Sequence, residues 1–475
     1  MAQHFLVLTY PAQGHVNPAL HLSRRLARTT SARVTFSTSI YGHRLMFPGS
    51  AADEIVEDGF VSYLPFSDDY DDGFDPNIHC PFEFHDRFRS ASSASLAALL
   101  RRLDELGRPV TCIIYNMLFA WAGDVARSHG VRSAVYWIQP AAVFAIYYHY
   151  FHGYDGLIKA HSHDPFFEFN LPNLPPLKIR DLPSFLGTTS NEDLYSVLFK
   201  LFEQLFQVLD REEADSTAPT VLVNTFGELE TEMLAVSAGK VKLLPVGPMV
   251  PPSLLEAVKD EPEFDARGDL FRPDEKKYME WLDAKPKRSV VYVSFGSLAA
   301  IKKRQVEEFV RWLRESEWAS LWVVRKDHKQ AQGELEAALR EAEAEGMVVE
   351  WCAQGRVLSH PAVGCFVTHC GWNSTLESLV CGVPTVALPQ WTDQGTNALL
   401  MEMWGTGVRA EVDAEGVVAA EELRRCVEIA MGGGGGAAEM RRSAEMWKDK
   451  ARGAVAEGGS SDRNLRAFVA AAASK

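Results

Sequence analysis

The residues best suited to chemistry sit at a junction. GCFVTHCG, residues 364–371, is an apolar run with β-branched positions, and it reads as a buried strand ending in glycine. WNSTLESLVCG follows at 372–382, with Leu376, Leu379 and Val380 at helical spacing and Gly382 as the stop. Ser374 and Glu377 have capping-box spacing, which places the helix start there. A strand that runs through glycine into a helix start presents backbone N–H groups and the positive end of a helix dipole. Such a junction binds anions, and a diphosphate fits it. The next buried strand, VPTVALP at 383–389, ends at a loop carrying Trp391, Asp393 and Gln394. In an open α/β sheet, loops of this kind border the ligand crevice.

A second constellation lies near the start. FLVLTY reads as a first strand, and His15 follows in a glycine-containing loop. Asn17 and Pro18 then read as the cap and first turn of a helix. A histidine beside a helix N-terminus is kept neutral by the dipole, and a neutral imidazole can act as a general base.

Strand-like and helix-like segments alternate along both halves. FLVLTY, PALHLSRRLART and ARVTFSTS open the first half; TCIIYN, AWAGDVARSHG and AVYWI continue it. SVVYVSFGS, a helix near 303–316, LWVVR, a helix near 334–345 and MVVEW repeat the rhythm in the second half. Alternation of this kind predicts parallel sheets with helices on both faces. A Pro-rich, charged stretch at 248–274 reads as a linker between an N-terminal domain, 1–247, and a C-terminal domain, 275–451. Gly432 to Gly436 reads as a flexible surface loop, flanked by late helices near 423–431 and 439–450.

At 475 residues the chain exceeds a single core. A net charge of −15 argues against nucleic-acid and anionic-membrane partners. Seven cysteines, odd in number and scattered, read as free thiols of a reducing cytoplasm. The N-terminus does not read as a signal peptide, and residues 134–151 are too polar and too short for a membrane span. Without a G-x-G-x-x-G between strand and helix, a dinucleotide oxidoreductase is disfavoured.

The 44 residues from Trp351 to Gln394, WCAQGRVLSHPAVGCFVTHCGWNSTLESLVCGVPTVALPQWTDQ, strongly resemble the donor signature of plant secondary-product UDP-glycosyltransferases. YPAQGHVNP, VSFGS at 293–297 and GGSSDRNL at 458–465 resemble further landmarks of that family, so the likeness spans the chain. The resemblance implies the GT-B fold, two Rossmann-like domains facing across a cleft, with a final helix at 452–475 returning to the N-terminal domain. It implies that Trp351 stacks on uracil, with Cys352 beside it among the donor-binding positions. Gln354 and Glu377 match the ribose partners; His369, Asn373, Ser374 and Ser297 match the diphosphate contacts. Trp372, Asp393 and Gln394 match the sugar-recognising positions, and glutamine at 394 resembles glucose users. His15 matches the catalytic histidine.

At one position the sequence departs from the family. An aspartate commonly follows the strand TCIIY to orient the histidine, and here Asn116 stands in its place. Asparagine can accept a hydrogen bond from imidazole but carries no charge to stabilise imidazolium. Either another carboxylate substitutes, with Asp124 the candidate, or the acceptor needs little deprotonation, as a carboxylic acid or an acidic phenol would. The second reading is preferred. Phe119, Trp121, Trp137, Gln139, Phe144, Tyr147 and Phe185 are candidate acceptor-binding residues, and together they point to a flat, apolar acceptor. The acidic loop 67–75 reads as a solvated surface.

These readings converge on a cytoplasmic, inverting UDP-sugar glycosyltransferase that needs no metal or other cofactor. UDP-glucose is the expected co-substrate, the acceptor a phenolic, flavonoid or hormone-like carboxylic acid, and the protein a monomer. A C-glycosyltransferase attacking through a phenolic ring carbon and a non-catalytic nucleotide-sugar-binding protein are the alternatives.

Overall fold

The computed structural model describes residues 3–30, 32–51, 54–75, 79, 81–187, 194–214, 218–255, 275–296, 302–324 and 346–473. Ser297, Cys80, the helix expected near 334–345 and most of the expected linker, residues 256–274, lie outside the described residues.

Ten strands belong to the first half: β1 (His4–Leu8), β2 (Arg33–Ser37), β3 (Val56–Glu57), β4 (Ser62–Tyr63), β5 (Cys112–Asn116), β6 (Arg132–Trp137), β7 (Glu168–Phe169), β8 (Leu177–Lys178), β9 (Thr220–Val223) and β10 (Lys242–Pro245). Eight of them form one sheet in the order β10-β9-β6-β5-β1-β2-β4-β3, and β7 and β8 pair by themselves. The second half supplies β11 (Val290–Ser294), β12 (Ala319–Val323), β13 (Met347–Val349), β14 (Val363–Thr368), β15 (Thr385–Ala387) and β16 (Gly407–Arg409). They form a six-stranded sheet in the order β13-β12-β11-β14-β15-β16. Every pairing within the two larger sheets is parallel except β3 with β4.

Parallel strands are covered on both faces, so their sequences are apolar throughout rather than alternating. HFLVL in β1, CIIYN in β5, VVYVS in β11 and VGCFVT in β14 are buried at every position. Helices supply the covering layers, some through one apolar stripe and one, Ala141–His149, buried at every position. The helix Lys303–Glu315 buries Val306, Phe309, Val310, Trp312 and Leu313 and turns its charged face outward. Each large side chain so buried contributes about 1.5–3 kcal/mol.

Parallel order has one consequence that matters for chemistry. The carboxyl ends of all strands in a sheet lie along one edge, so residues just after different strands become neighbours. Leu8 pairs beside Tyr115 in adjacent β1 and β5, which brings the His15 segment to Asn116. Ser294 of β11 pairs beside Thr368 of β14, which brings Gly296 to His369.

The terminal helix Ser460–Ala473 lies against the first sheet. Phe468 packs on Phe5 with ring centroids 5.9 Å apart, Gln3 donates to the Val469 carbonyl at 2.6 Å, and Asn464 donates to the Pro245 carbonyl at 2.9 Å. Six described cysteines are buried free thiols. No described helix is long and apolar enough to cross a membrane.

Candidate active site

Two helix starts meet in the cleft. The first belongs to the helix Gln13–Thr29, whose cap lies five residues before the one expected at Asn17. Ala12 is its cap, His15 stands in its first turn rather than in a loop, and Pro18 lies inside it. A proline has no N–H to give the carbonyl four residues back, so Gly14 loses its helical partner. The side-chain amide of Asn373 takes that place from the other domain, donating to the Gly14 carbonyl at 2.9 Å.

The second start belongs to the helix Trp372–Cys381, which follows β14. Its cap is Gly371, so the capping box expected from Ser374 and Glu377 is absent. The helix is capped three residues earlier than that spacing implied, and the chain turns into it through Cys370 in the left-handed region at φ 68°. Gly382 ends the helix in the left-handed conformation, as its position predicted. The N–H groups of the first turn have no acceptor inside the helix. They face the cleft together with His369, whose ring rests on two glycines. A Cβ on Gly296 or Gly371 would lie 2.6 or 2.5 Å from the His369 Nε2. Burial pushes the His369 pKa down to about 4, so its ring is neutral.

Freed from capping, Ser374 and Glu377 serve another residue. The amide nitrogen of Gln354 donates to the Ser374 hydroxyl at 2.8 Å and to the Glu377 carboxylate at 2.7 Å. Its amide oxygen accepts from the Tyr292 hydroxyl at 3.1 Å, and that hydroxyl lies 3.2 Å from the Cys352 sulfur. Half-buried Trp351 precedes this group directly. Tyr292 was missed in the sequence; a tyrosine in a fully buried strand needs a partner for its hydroxyl, and that was the signal.

Asp393 and Gln394 are buried at the start of the helix Gln394–Met403. The Asp393 carboxylate accepts from the Thr392 hydroxyl at 2.6 Å and from the Asn397 amide at 2.8 Å. Burial raises its pKa. The Gln394 side-chain oxygen accepts from the N–H groups of Gln390 and Trp391 at 2.8 and 3.0 Å, which leaves its NH2 for a sugar hydroxyl. Trp372 donates its indole N–H to the Asn224 carbonyl at 2.7 Å, so this side chain joins the domains and what it can turn toward a donor is its backbone N–H. Asn397, four residues after Asp393 on one helix face, could have been found by spacing.

The N-terminal domain clamps the same loop. Ser184 donates its N–H to the Thr392 carbonyl at 2.9 Å and accepts the Thr392 N–H at 2.8 Å. Phe185 packs edge-on against Trp391 at 6.3 Å. Arg409 donates to buried Asp181 at 2.6 Å.

His15 is half-buried at the floor of the cleft. The protein packed around its ring pushes its pKa down to about 4. Asn116 meets it at 3.0 Å, amide nitrogen to ring Nδ1. The Asn116 oxygen accepts from the Leu118 N–H at 3.1 Å. The expectation that Asn116 accepts a hydrogen bond from the imidazole is therefore corrected: its oxygen is held by the backbone, and its NH2 faces the ring. Asp124 does not substitute for a missing carboxylate. It pairs with Arg211 at 3.0 Å and with Arg89 at 4.0 Å on the surface.

The seven expected acceptor residues divide. Phe119 and Trp121 join Tyr10, Phe66 and Phe88 in an aromatic wall beside His15, with Tyr10 5.6 Å from the histidine ring and 6.3 Å from Phe119. Tyr10, Phe66 and Phe88 were missed; Tyr10 follows the end of β1 by two residues and precedes His15 by five. Trp137, Phe144 and Tyr147 pack instead into a core with Phe202 and Phe206, and Trp137 donates to the Pro140 carbonyl at 3.0 Å. For Trp137 and Phe144 this is a correction: Trp137 ends β6, which is buried to its last residue, and Phe144 lies in the helix Ala141–His149, which is buried at every position. Burial and then the nearby charge of Asp393 hold the Tyr147 hydroxyl protonated, and Gln139 interacts with the same carboxylate.

Comparison with known proteins agrees with this geometry. A family model described as UDP-glucoronosyl and UDP-glucosyl transferase matches residues 175–434, more than half of the chain. The chain is 46% identical over 469 residues to UDP-glycosyltransferase 75C1 of Solanum lycopersicum, covering 98% of each. It is 45% identical over 486 residues to the phloretin 4'-O-glucosyltransferase of Malus domestica, covering 99% of this chain and 98% of that one. The crystal structure of Os79 from O. sativa, in complex with U2F and trichothecene, superposes with a TM-score of 0.80 at 32% identity, covering 99% of this chain and all of that one. Two parallel-sheet domains, a glycine-capped helix start after β14 and near full-length likeness to such enzymes lead to one conclusion: the chain is a member of the plant UDP-glycosyltransferases, family-1 enzymes of GT-B fold.

Proposed function

We propose that this enzyme transfers glucose from UDP-glucose to a small, flat, apolar acceptor with inversion at the anomeric carbon and without a metal. The single observation that carries the reading is the Asn373–Gly14 bridge, because it sets the diphosphate-binding helix start one residue from His15. A donor whose diphosphate rests at Trp372–Ser374 then presents its sugar to Asp393 and Gln394. His15 and the aromatic wall of Tyr10, Phe88, Phe119 and Trp121 receive the acceptor.

Each group has a defined part. Trp351 offers a face to uracil, and Gln354 with Glu377 offers oxygens to the ribose diol. The helix dipole and the first-turn N–H groups stabilise the charge that grows on the leaving diphosphate, the part a metal plays elsewhere. The Asp393 carboxylate and the Gln394 amide bind adjacent sugar hydroxyls, and a sugar that leaves them unpaired is rejected. The acceptor class is a phenolic, flavonoid or carboxylic acid, and the enzyme acts as a monomer; the buried free thiols support a cytoplasmic setting.

The test offers UDP-glucose, UDP-galactose and UDP-glucuronate separately with a panel of flavonoids, simple phenols and aromatic acids, followed by mass spectrometry. A hexose adduct formed preferentially from UDP-glucose is expected. Preference for UDP-galactose or UDP-glucuronate would overturn the sugar assignment.

A further inference from the structure

We infer that Asn116 holds His15 in the tautomer whose proton is on Nε2, so that His15 donates a hydrogen bond to the acceptor instead of removing its proton. The enzyme on this view selects acceptors that arrive ionised, carboxylates and acidic phenols. The inference rests on the glucosyl transfer proposed above and assigns its acceptor chemistry.

Two contacts decide the tautomer. An amide can be placed either way round, but the Leu118 N–H at 3.1 Å requires an acceptor, and so the oxygen of Asn116 faces it. The NH2 group then faces the Nδ1 of His15 at 3.0 Å. An NH2 can only donate, so Nδ1 accepts. The ring is neutral, and its one proton is on Nε2. A carboxylate at position 116 would produce the opposite arrangement, drawing the proton to Nδ1 and leaving Nε2 able to take another. Nearby, Trp121 adds a buried indole N–H with no acceptor among the described residues. Both groups suit an acceptor rich in oxygen lone pairs.

The reaction then balances without a base. A carboxylate oxygen forms a bond to the anomeric carbon. The bond from that carbon to the diphosphate oxygen breaks, and its electron pair leaves with UDP. No proton moves, and the N–H of His15 orients the incoming carboxylate. A neutral phenol must lose a proton as it attacks, and Nε2 already carries one. Moving it to Nδ1 would set two donors, Nδ1–H and the Asn116 NH2, against each other. Asn116 is accordingly a positioning residue that acts through His15.

The experiment measures kcat/KM at fixed pH for an aromatic carboxylate and for para-substituted phenols with pKa values from about 7 to about 10. Wild type should lose about three- to tenfold for each unit of rising phenol pKa. Asn116→Asp should reduce that to less than about twofold per unit, by freeing Nε2 as a base. Independently of that variant, the nitrogen NMR spectrum of wild type labelled at histidine, assigned by difference with His15→Gln, should show His15 Nε2 protonated and Nδ1 bare. A protonated Nδ1, a flat wild-type dependence, or the same slope in both proteins would overturn the inference and leave glucosyl transfer standing. Normal UDP binding with no transfer to any acceptor would instead overturn the proposed function and this inference with it.

Discussion

The side-chain amide of Asn373 donates to the carbonyl oxygen of Gly14 at 2.9 Å, in the place a main-chain N–H would fill if residue 18 were not proline. The bridge joins the helix start that carries His15 to the one that follows β14. Asn373→Ala should raise the KM for UDP-glucose about tenfold or more, since a domain contact and a side chain beside the diphosphate are lost together. Pro18→Ala restores an N–H that competes for the Gly14 carbonyl. It should raise the same KM about two- to tenfold, the range of one neutral hydrogen bond. Initial-rate kinetics check both, and unchanged KM values would show that the bridge does not order the site.

Gly371 makes a sharper spatial prediction. Its φ is −59°, ordinary for any residue, so only space opposes a side chain there. A Cβ would meet the His369 Nε2 at 2.5 Å, whereas one on Gly433 would meet nothing within 4 Å. Gly371→Ala should weaken UDP binding by about 1–3 kcal/mol, the usual cost of overpacking. Gly433→Ala should leave it unchanged. Calorimetric titration with UDP compares the two.

Asp393 is held from two sides by Thr392 and Asn397. Asp393→Ala should lower turnover about tenfold to a thousandfold, as expected from losing one or two charge-assisted hydrogen bonds to the sugar. Asn397→Ala should lower it about tenfold by loosening the carboxylate. UDP affinity should change little in either variant. A matching loss of UDP affinity would move Asp393 from sugar to nucleotide recognition.

What the sequence made legible was the parallel α/β rhythm and the junction after β14, because buried parallel strands leave unbroken apolar runs and glycine marks the turn. Both helix starts were placed too late for a common reason. Pro18 and the Ser374–Glu377 pair are usual marks of a helix beginning, but here each answers to a tertiary partner: Asn373 fills the carbonyl left by proline, and Gln354 engages Ser374 and Glu377. Trp137 and Phe144 look like ligand-facing aromatics in sequence. Only the packing of Phe202 and Phe206 from a distant helix places them in a core. The orientation of Asn116 was not readable either, since it depends on the backbone N–H of Leu118 two residues on.

The histidines set a pH dependence. Burial holds His15 and His369 at about 4, below the usual 6.5. The unfolded chain therefore binds protons that the folded chain does not between those values. The stability conferred is complete above pH 6.5 and is lost as pH falls toward 4, at up to about 1.4 kcal/mol per unit for each ring. The melting temperature of wild type should fall over that window more steeply than that of His369→Gln. For a carboxylate acceptor, kcat/KM should show no inflection from His15 between pH 6.5 and 8. An inflection there that disappears in His15→Gln would place its pKa near the ordinary value.

Inverting glucosyl transfer at a diphosphate site built from a helix start can be followed directly. Its most direct measurement follows UDP release and the anomeric proton of the product by NMR, with UDP-glucose, an accepted aromatic acid and excess EDTA. One β-linked glucose product per UDP released is expected, at the rate seen without EDTA. An α-linked product, or a reaction that stops in EDTA and resumes with magnesium or manganese, would contradict it.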